Sequence, residues 1–425
     1  MPSPARGQLS RRLLLLLLVL PGLMALGACA SDSPYPANDP GWLRAQEQHL
    51  LDVRAKGIRT HDEALFMQGV ARGDKAFVAR QRRYFANMVQ LPLARFRYVV
   101  TDRTWPGRLA EPGLGARARI PRVQQVTELR GFDTGPVRRT TGFVFAQRHG
   151  QLMIVADRTR TGALFPGYDP APWDLVRVVV RRSHGVLGVF GRSTAADADR
   201  ILPVVAAGVH DVQAGLPFSW PGRVVVYCFE NRVVLNSFAG VPGGNIGHLG
   251  ALTFPVRSEN GSRERTVGMR FTLLPSSLGA GQPFLGRIVR HELTHVALGP
   301  RDDGAPVWFA EGIAEYMGAR PLPRDQRRIA SVALTRAREP IGGMPASSSF
   351  NGPDQDWHYA LSWMACDYIA ATRGESTLWA LMDAFHNGGI GTRDNQQDAV
   401  LQRVLGLNSH QLAERAAARI RRIYG

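Results

Sequence analysis

The chain has 425 residues, long enough for two compact domains with substantial cores. Its net charge is +17, carried almost wholly by arginine, with Lys56 and Lys75 the only lysines. Such a charge suits anionic lipid headgroups or wall polymers. The arginines are scattered singly, however, with no basic block and no RNA-binding signature, so no nucleic-acid partner is expected.

In chain order, Arg6, Arg11 and Arg12 precede an uncharged run from Leu13 to Leu20, then Leu26-Gly27-Ala28-Cys29. A basic start, a short apolar core and small residues before a cut describe an export signal over 1–28. The apolar run is interrupted by Pro21 and Gly22 and is too short to span a membrane. Leu-Gly-Ala-Cys resembles a bacterial lipobox, which makes Cys29 the lipidated first residue and a membrane surface the partner of the anchor. Cleavage after Ala28 or Ala30, giving a secreted protein, is the alternative. Residues 29–42 follow as a polar, proline-rich tether.

Residues 43–88 read as helices from apolar positions at helical spacing, including Ala64–Met67 and Tyr84-Phe85. Phe96, Tyr98 and Val100 alternate as in a half-buried strand. Gly142–Phe145 and Leu152–Val155 predict a hairpin turning at His149-Gly150. Helices followed by an antiparallel sheet make 43–168 an α+β accessory domain, resembling the NTF2-like or cystatin-like cone in pattern. The proline- and glycine-rich stretch 166–172 predicts a boundary.

From 174 onward the pattern predicts strands at 175–180 and 186–190 turning at Ser183-His184-Gly185. A helix over 194–213, a strand over 223–229, a glycine-rich loop at 239–250 and a strand over 266–274 follow. Cys228 and Cys366 lack metal-ligand spacing and read most simply as small buried apolar residues, although an exported chain permits a disulfide between them.

The most informative segment is His291-Glu292-Leu293-Thr294-His295. It lies between Pro283, a good first-turn residue, and Gly299-Pro300, a helix stop. Two histidines four apart project from one helix face and can share one zinc ion, with Glu292 in reach of a water on it. A second helix opens at Pro306 and carries Glu311 and Glu315 on one face of an otherwise apolar stretch. Two carboxylates there are costly unless something positive meets them. Glu311 therefore reads as the third ligand, and Glu315 as an acceptor fixing a histidine tautomer. Helices are expected at about 323–338, 356–372, 375–386 and 410–423.

HELTH, a short loop and PVWFAEGIAEY together resemble the gluzincin metallopeptidases of the peptidase MA-like group, specifically over about 283–318. The resemblance implies zinc held by His291, His295 and Glu311, Glu292 as general base and acid, and a zincin-type domain over 174–425 with a mainly helical C-terminal part. It pairs Glu315 with His291. It also implies an edge strand at 266–274 for extended substrate, and a tyrosine or histidine donor on a later helix, Tyr359 or else His358. The aminopeptidase signature G-x-M-E-N is replaced by Val267-Gly268-Met269-Arg270-Phe271. An endopeptidase acting on peptides or proteins is therefore expected over an N-terminal exopeptidase. Against this, the glycine-rich loop at 239–250 and the arginines around 263–270 could narrow the cleft or select acidic residues. The rival reading is a non-catalytic zinc-binding surface lipoprotein; three protein ligands leave room for water and favour catalysis, because structural sites use four.

Overall fold

The computed structural model describes residues 39–110, 114, 118–238, 249–260, 263–388 and 393–425. The export signal, Cys29, the first part of the tether and most of the glycine-rich loop lie outside them. The first helix, α1 (Pro40–Thr60), begins inside the expected tether, with its proline in the first turn, where no amide hydrogen is needed. Leu51, Arg54, Ala55 and Ile58 form its buried stripe. Two further helices follow, α2 (Glu63–Met67) and α3 (Lys75–Met88). Asp74 caps α3 by accepting from the amides of Ala76 and Phe77 at 2.8 and 3.1 Å.

Strands β1 (Leu93–Thr104), β2 (Pro121–Leu129) and β3 (Val137–Gly142) form an antiparallel sheet in that order. Phe96, Tyr98 and Val100 alternate inward as expected. The hairpin β4 (Val144–Arg148) and β5 (Gln151–Ala156) turns at His149-Gly150, as expected. Strand β2 did not stand out in the sequence, because Gln124 and Gln125 interrupt its alternation.

After the short helix α4 (Pro172–Leu175) comes a five-stranded sheet ordered β6-β7-β8-β10-β9. Its strands are β6 (Val178–Ser183), β7 (Val186–Gly191), β8 (Val224–Cys228), β9 (Ala251–Asn260) and β10 (Arg263–Leu273). β7, β8 and β10 run parallel, while β6 and β9 pair antiparallel on the two sides. The strand before the motif helix, β10, is thus interior, and the edge is β9. Pro255 explains why β9 is hard to read: it breaks the strand pattern, yet a residue without an amide hydrogen is tolerated at an edge.

Both faces of β8 are buried, which is why it reads as one apolar run. Val224, Val226 and Cys228 pack with α5 (Ala198–Gly215), which joins β7 to β8. Val225, Tyr227 and Phe229 share a core with Leu51, Phe66 and Phe96 of the N-terminal layer. The short helices α6 (Arg232–Ser237) and α7 (Pro275–Leu278) flank β9 and β10 in the chain.

The rest is helical: α8 (Phe284–Leu298), α9 (Val307–Ala319), α10 (Ser331–Arg336), α11 (Gln355–Arg373), α12 (Glu375–Asn387), α13 (Arg393–Leu405) and α14 (Ser409–Tyr424). The helix expected at 323–338 shrinks to α10, because Arg327 is extended and the Arg328 carbonyl instead accepts from Arg287 at 2.7 Å. Cys228 and Cys366 are buried and unpaired. The architecture is α+β with antiparallel pairing and a helical C-terminal part. None of the described helices is long and apolar enough to cross a membrane.

The two layers are joined by charge as well as by core. The Arg270 guanidinium on β10 pairs with Asp133, both side chains almost fully buried. Beside this pair, the Thr134 amide donates to the Val267 carbonyl at 2.7 Å, where the β9–β10 register shifts. Arg270 is thereby held in a buried ion pair at the junction of the two layers. Asp133→Ala leaves a buried guanidinium alone, and urea unfolding should then show a loss of about 3–5 kcal/mol. An unchanged midpoint would show that the pair does not hold the layers.

Candidate metal centre

α8 buries Leu285, Val289, Leu293 and Val296 along one stripe. That leaves His291 and His295 on a second face, turned to α9. Two glycines of α9 set how close its neighbours come. A Cβ at Gly318 would stand 2.9 Å from the Arg287 carbonyl of α8, and one at Gly312 would stand 2.6 Å from the Ser362 carbonyl of α11. Both contacts are too close for any side chain, so α9 lies wedged between α8 and α11 with Glu311 and Glu315 against the histidines.

Glu311 Oε2 lies 3.1 Å from His291 Nε2 and 3.5 Å from His295 Nε2. The three ligand atoms all fall within 4.8 Å of one another, and this is the one such group among the described residues. Zinc bonds of about 2.0–2.1 Å in a tetrahedron separate ligand atoms by about 3.4 Å. Glu311 Oε2 is buried and has no hydrogen-bond partner. An orphaned carboxylate oxygen between two imidazole nitrogens suits a cation, so the donor set could hold zinc.

Each imidazole is held from behind. His291 Nδ1 is 3.1 Å from Glu315 Oε1, and His295 Nδ1 is 3.4 Å from Asp302 Oδ2. Glu315 is itself paired with Arg287, whose guanidinium sits 4.3 Å from the Trp363 ring centroid. Asp302 and Arg287 were missed in the sequence. Arg287 stands four residues before His291, on the same helix face, which was a usable signal; Asp302, in the loop after α8, offered none.

Burial pushes the His291 imidazole down, yet contact with Glu311 and Glu315 lifts it to about 9. For His295 burial also acts downward, and Glu311 and Asp302 raise it well above its ordinary value. Burial would raise Glu311, but the two imidazoles hold it well below the usual carboxylate range. Against the same burial, Arg287 and His291 bring Glu315 to about 2. Glu292 differs: burial raises it more than the histidines and Thr253 lower it.

Glu292 is tied to the edge strand, since the Thr253 hydroxyl of β9 lies 2.6 Å from Glu292 Oε2. Thr253 was not anticipated either, because β9 itself was not read as a strand. Tyr359 on α11 comes to the cluster, its ring centroid 6.2 Å from that of His291. Burial and the charges of Glu311, Glu292 and Glu315 push its pKa well up, so the hydroxyl keeps its proton. His358 is turned away, its Nδ1 2.8 Å from the Phe350 carbonyl oxygen. A cleft of about 440 Å³ opens beside His291, Glu292 and Tyr359, walled by Phe284, Ile288, Ile329 and Trp363. A comparison with protein-family models finds no match for the chain, and a comparison with curated proteins finds none.

Metal titration tests this arrangement. Glu311→Ala should lose tight zinc uptake, and Glu315→Gln should weaken it by about 10–100-fold while still binding. Full affinity in Glu311→Ala, measured against a chromophoric chelator, would move the third ligand elsewhere.

Proposed function

We propose that this protein is a zinc-dependent peptidase of the gluzincin type that cuts extended peptides internally. The observation that carries the reading is the meeting of both imidazole Nε2 atoms on Glu311 Oε2, with Glu292 alongside and bonded to an edge strand. A five-stranded sheet with an antiparallel edge next to the motif helix supports a zincin-type domain. The three-helix and antiparallel-sheet layer before it supports an NTF2-like or cystatin-like accessory part.

Zinc held by His291, His295 and Glu311 would supply a water of lowered pKa and polarise the scissile carbonyl. Glu292 Oε2 accepts from Thr253, which leaves Oε1 to take the proton of the attacking water and deliver it to the leaving nitrogen. The Tyr359 hydroxyl donates to the substrate oxygen as charge develops on it. Glu315 and Asp302 keep the imidazoles oriented, so that each presents Nε2. β9 has β10 on one side and no strand bonded to the other among the described residues, so an extended peptide can add to it through main-chain hydrogen bonds.

The experiment is digestion of a peptide library with free and acetylated N-termini, read by mass spectrometry. Wild type should cut both sets alike, and Glu292→Gln should keep about one zinc per chain yet lose turnover by at least about 100-fold. Cleavage confined to free N-termini would sink the endopeptidase reading. No cleavage with zinc bound would favour the non-catalytic surface lipoprotein instead.

Export and a lipid at Cys29 complete the proposal, placing the enzyme at the outer face of the cytoplasmic membrane. Cys29→Ser should move the protein from the membrane to the soluble fraction. Unchanged partitioning would argue for another attachment.

A further inference from the structure

A second polar cavity lies in the N-terminal layer, between α1, α3 and the β1-β2-β3 sheet, remote in sequence from the metal ligands. It is lined by side chains that a core normally excludes. Arg54 is 3% exposed, Gln81 2% and Gln125 2%. Arg54 donates to the Gln81 side-chain oxygen, and its Nε and Nη1 have no acceptor. No ion pair of Arg54 occurs among the described residues. Its guanidinium stacks on Phe66 at 3.8 Å from the ring centroid, which stabilises the charge from the face and leaves Nε and Nη1 unanswered. Arg83 Nε and Gln125 Nε2 are likewise buried donors without partners.

The acidic groups nearby are already engaged. Asp157 accepts from Arg80 at 2.8 Å and from Gln81 Nε2 at 2.8 Å. Asp174 Oδ2 accepts from the Ala171 amide at 2.8 Å and lies 3.3 Å from Arg139. Asp174 Oδ1 has no hydrogen-bond partner, and burial raises the pKa of this carboxyl against the pull of Arg139. Arg54, Arg80, Arg83 and Arg158 line the cavity against Asp157 and Asp174, so its lining carries an excess of positive charge and of N–H groups. Water could answer the N–H groups but not the charge of a buried guanidinium, whose desolvation needs a counter-ion.

We propose that this cavity binds a small oxyanion, a carboxylate or a phosphate, through Arg54, Arg83 and Gln125. The space is about 40 Å³, enough for a few water-sized groups and too small for a drug-sized ligand. Arg54 and Gln125 meet the anion from opposite layers, one on α1 and one on β2, and Arg83 reaches it from α3. The bound anion would then lock the helices onto the sheet that buttresses β10.

The test is calorimetric titration of the full chain with inorganic phosphate and, separately, with sodium acetate, at fixed ionic strength. One saturable site per chain is expected for at least one of them. Arg83→Gln, at a half-buried position, should weaken it at least about tenfold. Arg54→Met should abolish it and raise the melting temperature measured without added anion, since a buried unpaired charge is gone. Saturable binding that survives both substitutions comes from elsewhere, the metal centre included, and overturns the proposal, as does the lack of saturable binding of either anion. Because the readout is binding at the N-terminal layer, its failure leaves the peptidase reading untouched.

Discussion

The structure depends on bringing two carboxylates of an apolar helix against two imidazoles of its neighbour. Glu311 and Glu315 sit on α9 among Trp308, Phe309, Ile313 and Ala314, all fully buried. An ionised carboxylate in such surroundings costs several kcal/mol unless it is met by charge and hydrogen bonds. His291, His295 and Arg287 are the groups that meet them, all three on α8. The helices must therefore touch at backbone distance, and Gly318 permits that. Gly312 does the same towards α11, which carries Tyr359 to the other side of the cluster. Taken together, Glu292, Asp302, Glu311 and Glu315 set four carboxyl groups around one guanidinium and two imidazoles. That balance lifts both histidines above their ordinary range.

The sheet holds this cluster in register from two sides. Thr253 ties the edge strand to the Glu292 side chain, so the position of that carboxyl follows the position of β9. β9 in turn hangs on β10, and β10 is anchored from behind by the Arg270–Asp133 pair. A displacement of the N-terminal layer would thus reach the site through three consecutive contacts. This gives the N-terminal layer a physical part in placing the cluster around His291 without contributing any side chain to it.

Much of the site was legible because its chemistry fixes spacing. Helical ligands need four-residue intervals, so His291, His295, Glu311 and Glu315 stand out, and the structure gathers them. The helix ends at Pro283 and Gly299 were equally readable, as was the hairpin at His149-Gly150. What escaped depends on contacts between distant segments. Thr253 becomes relevant only once β9 lies beside α8, and Pro255 conceals that strand. Asp302 is one of two adjacent aspartates in a loop, and only the fold selects it. The interior place of β10 follows from strand order, which local pattern does not contain. Arg270 stood among the arginines expected near the cleft, and its ion-pair partner, 137 residues away, was not legible.

The same reasoning about buried charge reads both ends of the molecule. At α8 and α9 four carboxyl groups are tightly enclosed, and the orphaned atoms are Glu311 Oε2, His291 Nδ1 and Arg290 Nη2. At α1 and α3 the excess is positive, and the orphaned atoms are mostly donors, those of Arg54, Arg83 and Gln125. A core that tolerated either imbalance would sacrifice several kcal/mol out of a total stability of only about 5–15 kcal/mol. The first imbalance is the one the proposed cation would answer, and the second the one the proposed anion would. Since the five-stranded sheet packs against both cores, an anion in the proposed cavity would bear on the rigidity of β9, which Thr253 ties to Glu292.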